Sequence, residues 1–123
     1  QADLKSNLDG VKVSGEQLTV SGWCWEPSAP DGGRYQLHVE IQVDGKTLAT
    51  VVANVSRPGI VPKTGAPDPN HGLLAQFDAT AGGGNLLKGK HSFHVFAKVG
   101  APSMDFPREL DHSPVCLCDG SPC

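Results

Sequence analysis

Between residues 35 and 55 the chain alternates so strictly that one kind of element accounts for it. Tyr35, Leu37, Val39, Ile41 and Val43 fall on one side, and Gln36, His38, Glu40 and Gln42 on the other. This period of two belongs to a strand with a single buried face, the usual product of an antiparallel sheet. Asp44-Gly45 follows, a pair that accepts the positive φ angles of a two-residue hairpin turn. The return strand covers 47–55, with Ala49, Val51, Ala53 and Val55 on its apolar face.

The remaining apolar runs are also short and alternating. Val11 and Val13, then Leu18, Val20, Gly22 and Cys24, read as two strands joined at Ser14-Gly15-Glu16. Trp23 and Trp25 fall on the opposite face, so either a bulge re-aims the chain or both faces are covered there. Residues 26–33 read as a loop. So does 56–72, whose Pro58, Pro62, Pro67 and Pro69 exclude a central strand. A short strand is expected over 73–79, a turn at Gly82-Gly83-Gly84, and a last clear strand through His91, Phe93, Val95 and Ala97. Six strands without a helix predict an all-β fold, an immunoglobulin-like antiparallel sandwich with irregular, disulfide-tethered ends. The expected parts are an extended segment over 1–7, the sandwich over 8–100 and a Cys/Pro-rich tail over 101–123. Tyr35, Leu37, Val39, Ile41, Val51, Ala53, Phe93, Val95 and Leu18 are the expected inter-sheet core.

Composition narrows the function classes. The 123 residues carry a net charge of −3 with both signs interspersed, which offers no phosphate-binding stripe, so nucleic acid is not an expected partner. No apolar run approaches the roughly 20 residues of a membrane helix. The chain begins at Gln1 with no leader pattern, which reads as a processed product or a fragment. Four cysteines in a Gly/Pro-rich chain point to two disulfides, an oxidising compartment and an extracellular or cell-surface location. Cys24 is expected to bridge to the tail, as Cys24–Cys116 with Cys118–Cys123 or as Cys24–Cys118 with Cys116–Cys123. A metal site on Cys116, Cys118 and Cys123 is the competing reading, but its spacing is not the paired knuckle of structural zinc.

Several stretches together resemble a known family. Leu8-Asp9-Gly10-Val11, Val20-Ser21-Gly22-Trp23 with Glu26-Pro27, Val43-Asp44-Gly45, Ala53-Asn54 with Arg57-Pro58, Pro69-Asn70-His71-Gly72-Leu73, and Gly89-Lys90-His91 with Val95 and Ala97 occur in that order. They resemble the Gly-Trp-Ala-x-Asp-Pro-type repeats of secreted bacterial surface and cell-wall proteins. The resemblance spans about residues 8 to 99 and implies an immunoglobulin-like accessory domain with no settled activity. Trp23-Cys24-Trp25 departs from the family pattern, and the Cys-rich tail has no counterpart in it.

Chemistry is sparse. No nucleophile elbow, carboxylate pair or phosphate loop occurs, so no catalytic residue, cofactor or metal is expected. His91 and His94 point to opposite faces and cannot share an ion, and His71 reads as a loop residue. Asp68, Asn70 and Asp78 lack a calcium-loop spacing. Trp25, Trp23 and Tyr35 are the candidate stacking platform for a glycan, with Trp23 more easily read as core. Asn54-Val55-Ser56 is a glycosylation sequon, its Asn54 expected on the exposed face. Leu4, Leu8, Val115 and Leu117 mark terminal segments that could be laid along another sheet edge. The expected function is a non-enzymatic structural or interaction module that self-associates into a fibre or array, with carbohydrate binding as the alternative.

Overall fold

The computed structural model describes residues 4–80 and 85–123; the expected glycine turn at 82–84 and residues 1–3 of the N-terminal segment lie outside them. Among the described residues ten strands run β1 (Lys5–Ser14), β2 (Gln17–Trp25), β3 (His38–Val43), β4 (Lys46–Val52), β5 (Val55–Ser56), β6 (Asn70–Asp78), β7 (Lys90–Val99), β8 (Phe106–Glu109), β9 (Val115–Cys118) and β10 (Ser121–Pro122). One sheet has the order β1-β2-β6-β5; the other runs β10-β9-β7-β3-β4, with β8 also on β7. Every pairing is antiparallel. This is the A-B-E-D against G-F-C-C′ arrangement of an immunoglobulin-like sandwich, as the strand pattern predicted.

The β3–β4 hairpin forms around the expected turn, but the return strand ends at Val52, and Val55, expected on its apolar face, begins β5 in the other sheet. Val43 pairs with Lys46 around Asp44 and Gly45, whose φ angles are 52° and 85°. Leu37, Val39, Ile41 and Val43 are buried, and they meet Leu18, Val20, Ala53, Leu73, Phe93 and Val95 between the sheets. Tyr35 and Val51 pack partly buried against this core. The register slips between Ile41 and Gln42, which leaves Leu48 as the extra residue of a bulge.

The ends behave differently from the expectation. β1 already begins at Lys5, within the 1–7 segment, and the 101–123 tail is part of the sandwich. β8 pairs with the end of β7 and β9 with its beginning, so one broken strand covers a single edge of β7. At the break, the Leu110 N–H donates to the Val95 carbonyl, and the Val95 N–H donates to Ser113 Oγ. Leu110 and Leu117 are buried in the common core. Backbone pairing and two leucines hold the tail on the sandwich.

The cysteine expectation holds for Cys118–Cys123, which belongs to one of the two pairings expected, and is corrected for the bridge from Cys24 to the tail. Cys118–Cys123 is bridged, with a 2.10 Å S–S bond, while Cys24 and Cys116 are free. Cys24 makes no bridge to the tail because it sits fully buried between the sheets as a small apolar side chain. The tail cysteines lie on β9 and just past β10, at the sheet's margin.

The 56–72 loop is also corrected. It holds β5, a helix α1 (Ile60–Thr64) and the start of β6, so the chain is not free of helix. Pro62 is tolerated because it falls in the first turn, where its missing N–H has no partner to lose. Gly65, at φ 79°, closes the helix.

Two tight places carry predictions. A Cβ on Gly22 would lie 2.4 Å from the Asn7 carbonyl oxygen, beside the bulge where β1 shifts between Leu8 and Gly10. Gly59 has nothing within 4 Å of such an atom. Gly22→Ala is expected to cost about 1–3 kcal/mol and Gly59→Ala to be neutral or slightly stabilising, read from urea unfolding. Equal effects would refute the close approach. The second place is the hairpin turn, where Asp44 Oδ1 accepts the Ser92 N–H and Oδ2 lies 2.6 Å from His91 Nδ1. That bond raises His91 above its ordinary 6.5, and with the Ser92 bond it lowers Asp44 below 3.8. The stabilisation from His91 is complete below 6.5 and is lost as pH rises through its raised value; that from Asp44 is lost as pH falls through its lowered value. The stability difference between wild type and His91→Gln should therefore peak between these limits and shrink on both sides, measured by unfolding midpoints across pH.

Candidate functional site

Residues from β1, β2, β5 and β6 converge on the outer side of the four-stranded sheet. Arg57, just after β5, lays its side chain across Gly72, where a Cβ would come within 2.5 Å of the arginine Cγ. Its Nη1 reaches Asp9 Oδ2 at 2.8 Å and the Gly22 carbonyl at 3.2 Å. Asp9 is available because it is the bulged residue between Leu8 and Gly10. The ion pair is more than a third exposed, so its Coulomb energy is small. Its effect is to register β1, β2, β5 and β6 against one another. Neither Arg57 nor Asp9 stood out in the sequence as a pair; a lone Arg-Pro in a proline-rich loop was the available signal.

Beside this staple lies a second apolar cluster of Trp23, Trp25, Ile60 and Ala66. Trp25 Nε1–H donates to Thr64 Oγ1 at 2.9 Å, which ties α1 down onto the indole. Gly33 closes over the same ring, its absent Cβ 3.3 Å from Cζ3. His71 is wholly buried on β6, not in a loop, with its ring centroid 6.4 Å from that of Trp25. Burial lowers its pKa against the opposing pull of Asp68, whose Oδ1 lies 2.7 Å from Nε2 without hydrogen-bond alignment. Asp68 and Asp78 meanwhile accept the backbone N–H groups of Asn70 and Thr80, the ordinary work of loop acids.

The glycan platform is therefore corrected. Trp23 is 6% and Trp25 5% exposed, so neither offers a face to a sugar. Tyr35 is partly buried against the core and stacks on His38 with centroids 6.2 Å apart. Both faces of β2 are covered at its end, which answers the question its sequence left open.

The assembly residues are placed within the chain's own fold. Leu8 and Leu117 are buried core, and Leu4 and Val115 pack partly buried against it. These segments are not free to be laid on another molecule. Asn54 is exposed between β4 and β5, as expected for its sequon.

The outer face of the six-stranded sheet is the most varied surface. Glu40 stands at its centre, accepting from Thr47 Oγ1 and Gln42 Nε2 and facing Lys98 Nζ at 3.3 Å. These contacts, the Thr47 bond foremost, hold its carboxyl below the usual range. His94 stacks on Phe96 with centroids 6.0 Å apart, and its Nδ1 meets Glu109 Oε2 at 2.7 Å. At the margin runs β4, with Leu48 and Val52 each 38% exposed. These two residues occupy the polar phase of the return strand, a signal present in the sequence at 47–55.

The three tail cysteines meet on one side of the β9–β10 hairpin. Cys116 Sγ lies 2.9 Å from Cys123 Sγ, and all three sulfurs are within 4.8 Å of one another. They could serve a soft cation only as thiolates, and two of them are consumed in the bridge.

With both indoles inside, tryptophan emission should be blue-shifted and unchanged by soluble oligosaccharides, while Trp25→Ala should cost about 3–5 kcal/mol of stability. A saturable sugar-induced emission change would restore the platform reading.

No family model, curated protein or solved structure matches the chain.

Proposed function

We propose that this chain is a non-catalytic structural or interaction module of an extracellular assembly, and that it associates with further copies of itself along β4. The observation that carries this reading is the condition of the sheet edges. β5 and β10 have two residues each, and Pro122 removes a donor from β10. β1 is engaged by the 111–112 segment: the Leu8 N–H donates to the Asp111 carbonyl, the Asp111 N–H to Ser6 Oγ, and His112 meets Asn7. β4 has seven residues, no proline, one charge and two half-exposed apolar side chains, and among the described residues no strand pairs with its outer edge. Proteins ordinarily blunt such an edge; β4 has only Lys46 and the Leu48 bulge near its start to do so, and the stretch from Ala49 to Val52 is left able to accept another strand.

The occupant is a second copy because β4 is itself the available extended strand, and two such edges can pair antiparallel about a twofold axis. A dimer, rather than the fibre expected from donated terminal segments, is the product of this geometry. The extracellular part of the reading draws on the Cys118–Cys123 bridge, which belongs to oxidising compartments.

Sedimentation equilibrium over a concentration series tests the proposal. A monomer–dimer equilibrium is expected for the wild type, abolished by Leu48→Lys with Val52→Lys while circular dichroism and the unfolding midpoint stay unchanged. A strictly monomeric wild type, or a dimer indifferent to both lysines, overturns it.

A further inference from the structure

The spacing of the three tail cysteines has a geometric consequence. Cys116 and Cys118 are two apart on β9, so their side chains leave the same face of the strand. Asp119 and Gly120, at φ 51° and 81°, make the tight turn that returns β10 alongside β9. Ser121 pairs with Cys118 and Pro122 with Leu117, which puts Cys123 directly across from Cys116. The Cys123 N–H donates to the Cys116 carbonyl at 3.2 Å, as this register requires. The bridge nevertheless joins Cys123 to its diagonal neighbour Cys118, and the thiol left over is the one directly opposite.

We propose that Cys116, Cys118 and Cys123 form a thiol–disulfide exchange site in which Cys123 is shared between two interchangeable bridges. The Cys116 thiolate attacks Cys123 Sγ, a bond forms between them, the Cys118–Cys123 bond breaks, and Cys118 departs as the thiolate. One disulfide and one thiol exist before and after, so the step needs no oxidant or reductant. The 2.9 Å contact means that attacker and target already touch, so no strand has to separate for the exchange. Cys116 and Cys118 are both half-buried on one strand, so neither bridge is favoured by a difference in exposure. In either isomer the hairpin closes and one thiol stays at the surface.

Cys24 takes no part. Burial pushes its thiol up to about 12, so it stays protonated and silent to reagents in the folded protein. This inference stands apart from the β4 association, which involves the opposite margin of the same sheet.

The test uses the intact chain, equilibrated at mildly alkaline pH, quenched with acid, labelled with N-ethylmaleimide and cleaved before aspartates. Cleavage before Asp119 separates Cys116 and Cys118 from Cys123, and fragmentation of the bridged pair then locates the label. Label on both Cys116 and Cys118 is expected; label confined to Cys116 overturns the proposal. In parallel, Cys118→Ser is equilibrated with reduced and oxidised glutathione, the latter being the oxidant. It should recover a Cys116–Cys123 bridge and lose every native-state tail thiol, as Cys116→Ser does through Cys118–Cys123. Two reactive tail thiols in Cys118→Ser, with the Cys116→Ser bridge intact, would show that Cys116 cannot reach Cys123 and would also overturn it.

Discussion

The end of β2 is buried on both faces, and the rest of the fold is arranged around that burial. Leu18, Val20 and Cys24 enter the inter-sheet core, while Trp23 and Trp25 enter a second cluster outside the sheet. A two-layer sandwich normally exposes its outer faces, so this second cluster needs its own cover. The α1 helix supplies it, held by the Trp25–Thr64 hydrogen bond, and the loop ending at Gly33 seals the remaining side. Burying two indoles contributes more than any exposed ion pair in the molecule can. The Arg57–Asp9 contact then has a narrower part, which is to hold the strands beneath that cover in register across Gly22 and Gly72.

A similar economy governs the other sheet. β7 needs a partner along its whole edge, and one straight strand does not provide it. β8 and β9 divide the edge, and the gap between them is filled by Leu110, Ser113 and the Glu109–His94 contact. Ser113 donates to Glu109 as it accepts from Val95, so a backbone group that would otherwise be orphaned in the gap is satisfied. The chain after residue 100 is thus as much a part of the sandwich as β3, and only its final turn, with the three sulfurs, stands at the margin.

The polar groups that looked chemically suggestive are largely spent on structure. His71, His91, His94 and His112 each face a carboxylate or an amide, and Glu40 is held by three neighbours. Among the places the fold leaves open are the β4 edge and the third tail sulfur. These two places are where an interaction module and an exchangeable bridge find their physical basis.

Local pattern was enough for part of this architecture. The alternation through Val39 and Ile41, the Asp44-Gly45 turn and the inward set of Phe93, Val95 and Leu18 were legible because period-two burial and turn chemistry are properties of a few adjacent residues. The location of Trp25, the choice of Cys118 over Cys116 as the partner of Cys123 and the employment of the tail were not. Each depends on a partner far along the chain: Thr64 for Trp25, β7 for β8 and β9, and the inter-sheet core for Cys24. Sequence by itself determined the central alternating strands, β2, β3 and β7 among them, and which face of each is apolar. Only the tertiary structure decided what covers the second face of β2 and which sheet edge stays open, because both are set by contacts between segments that no local pattern relates.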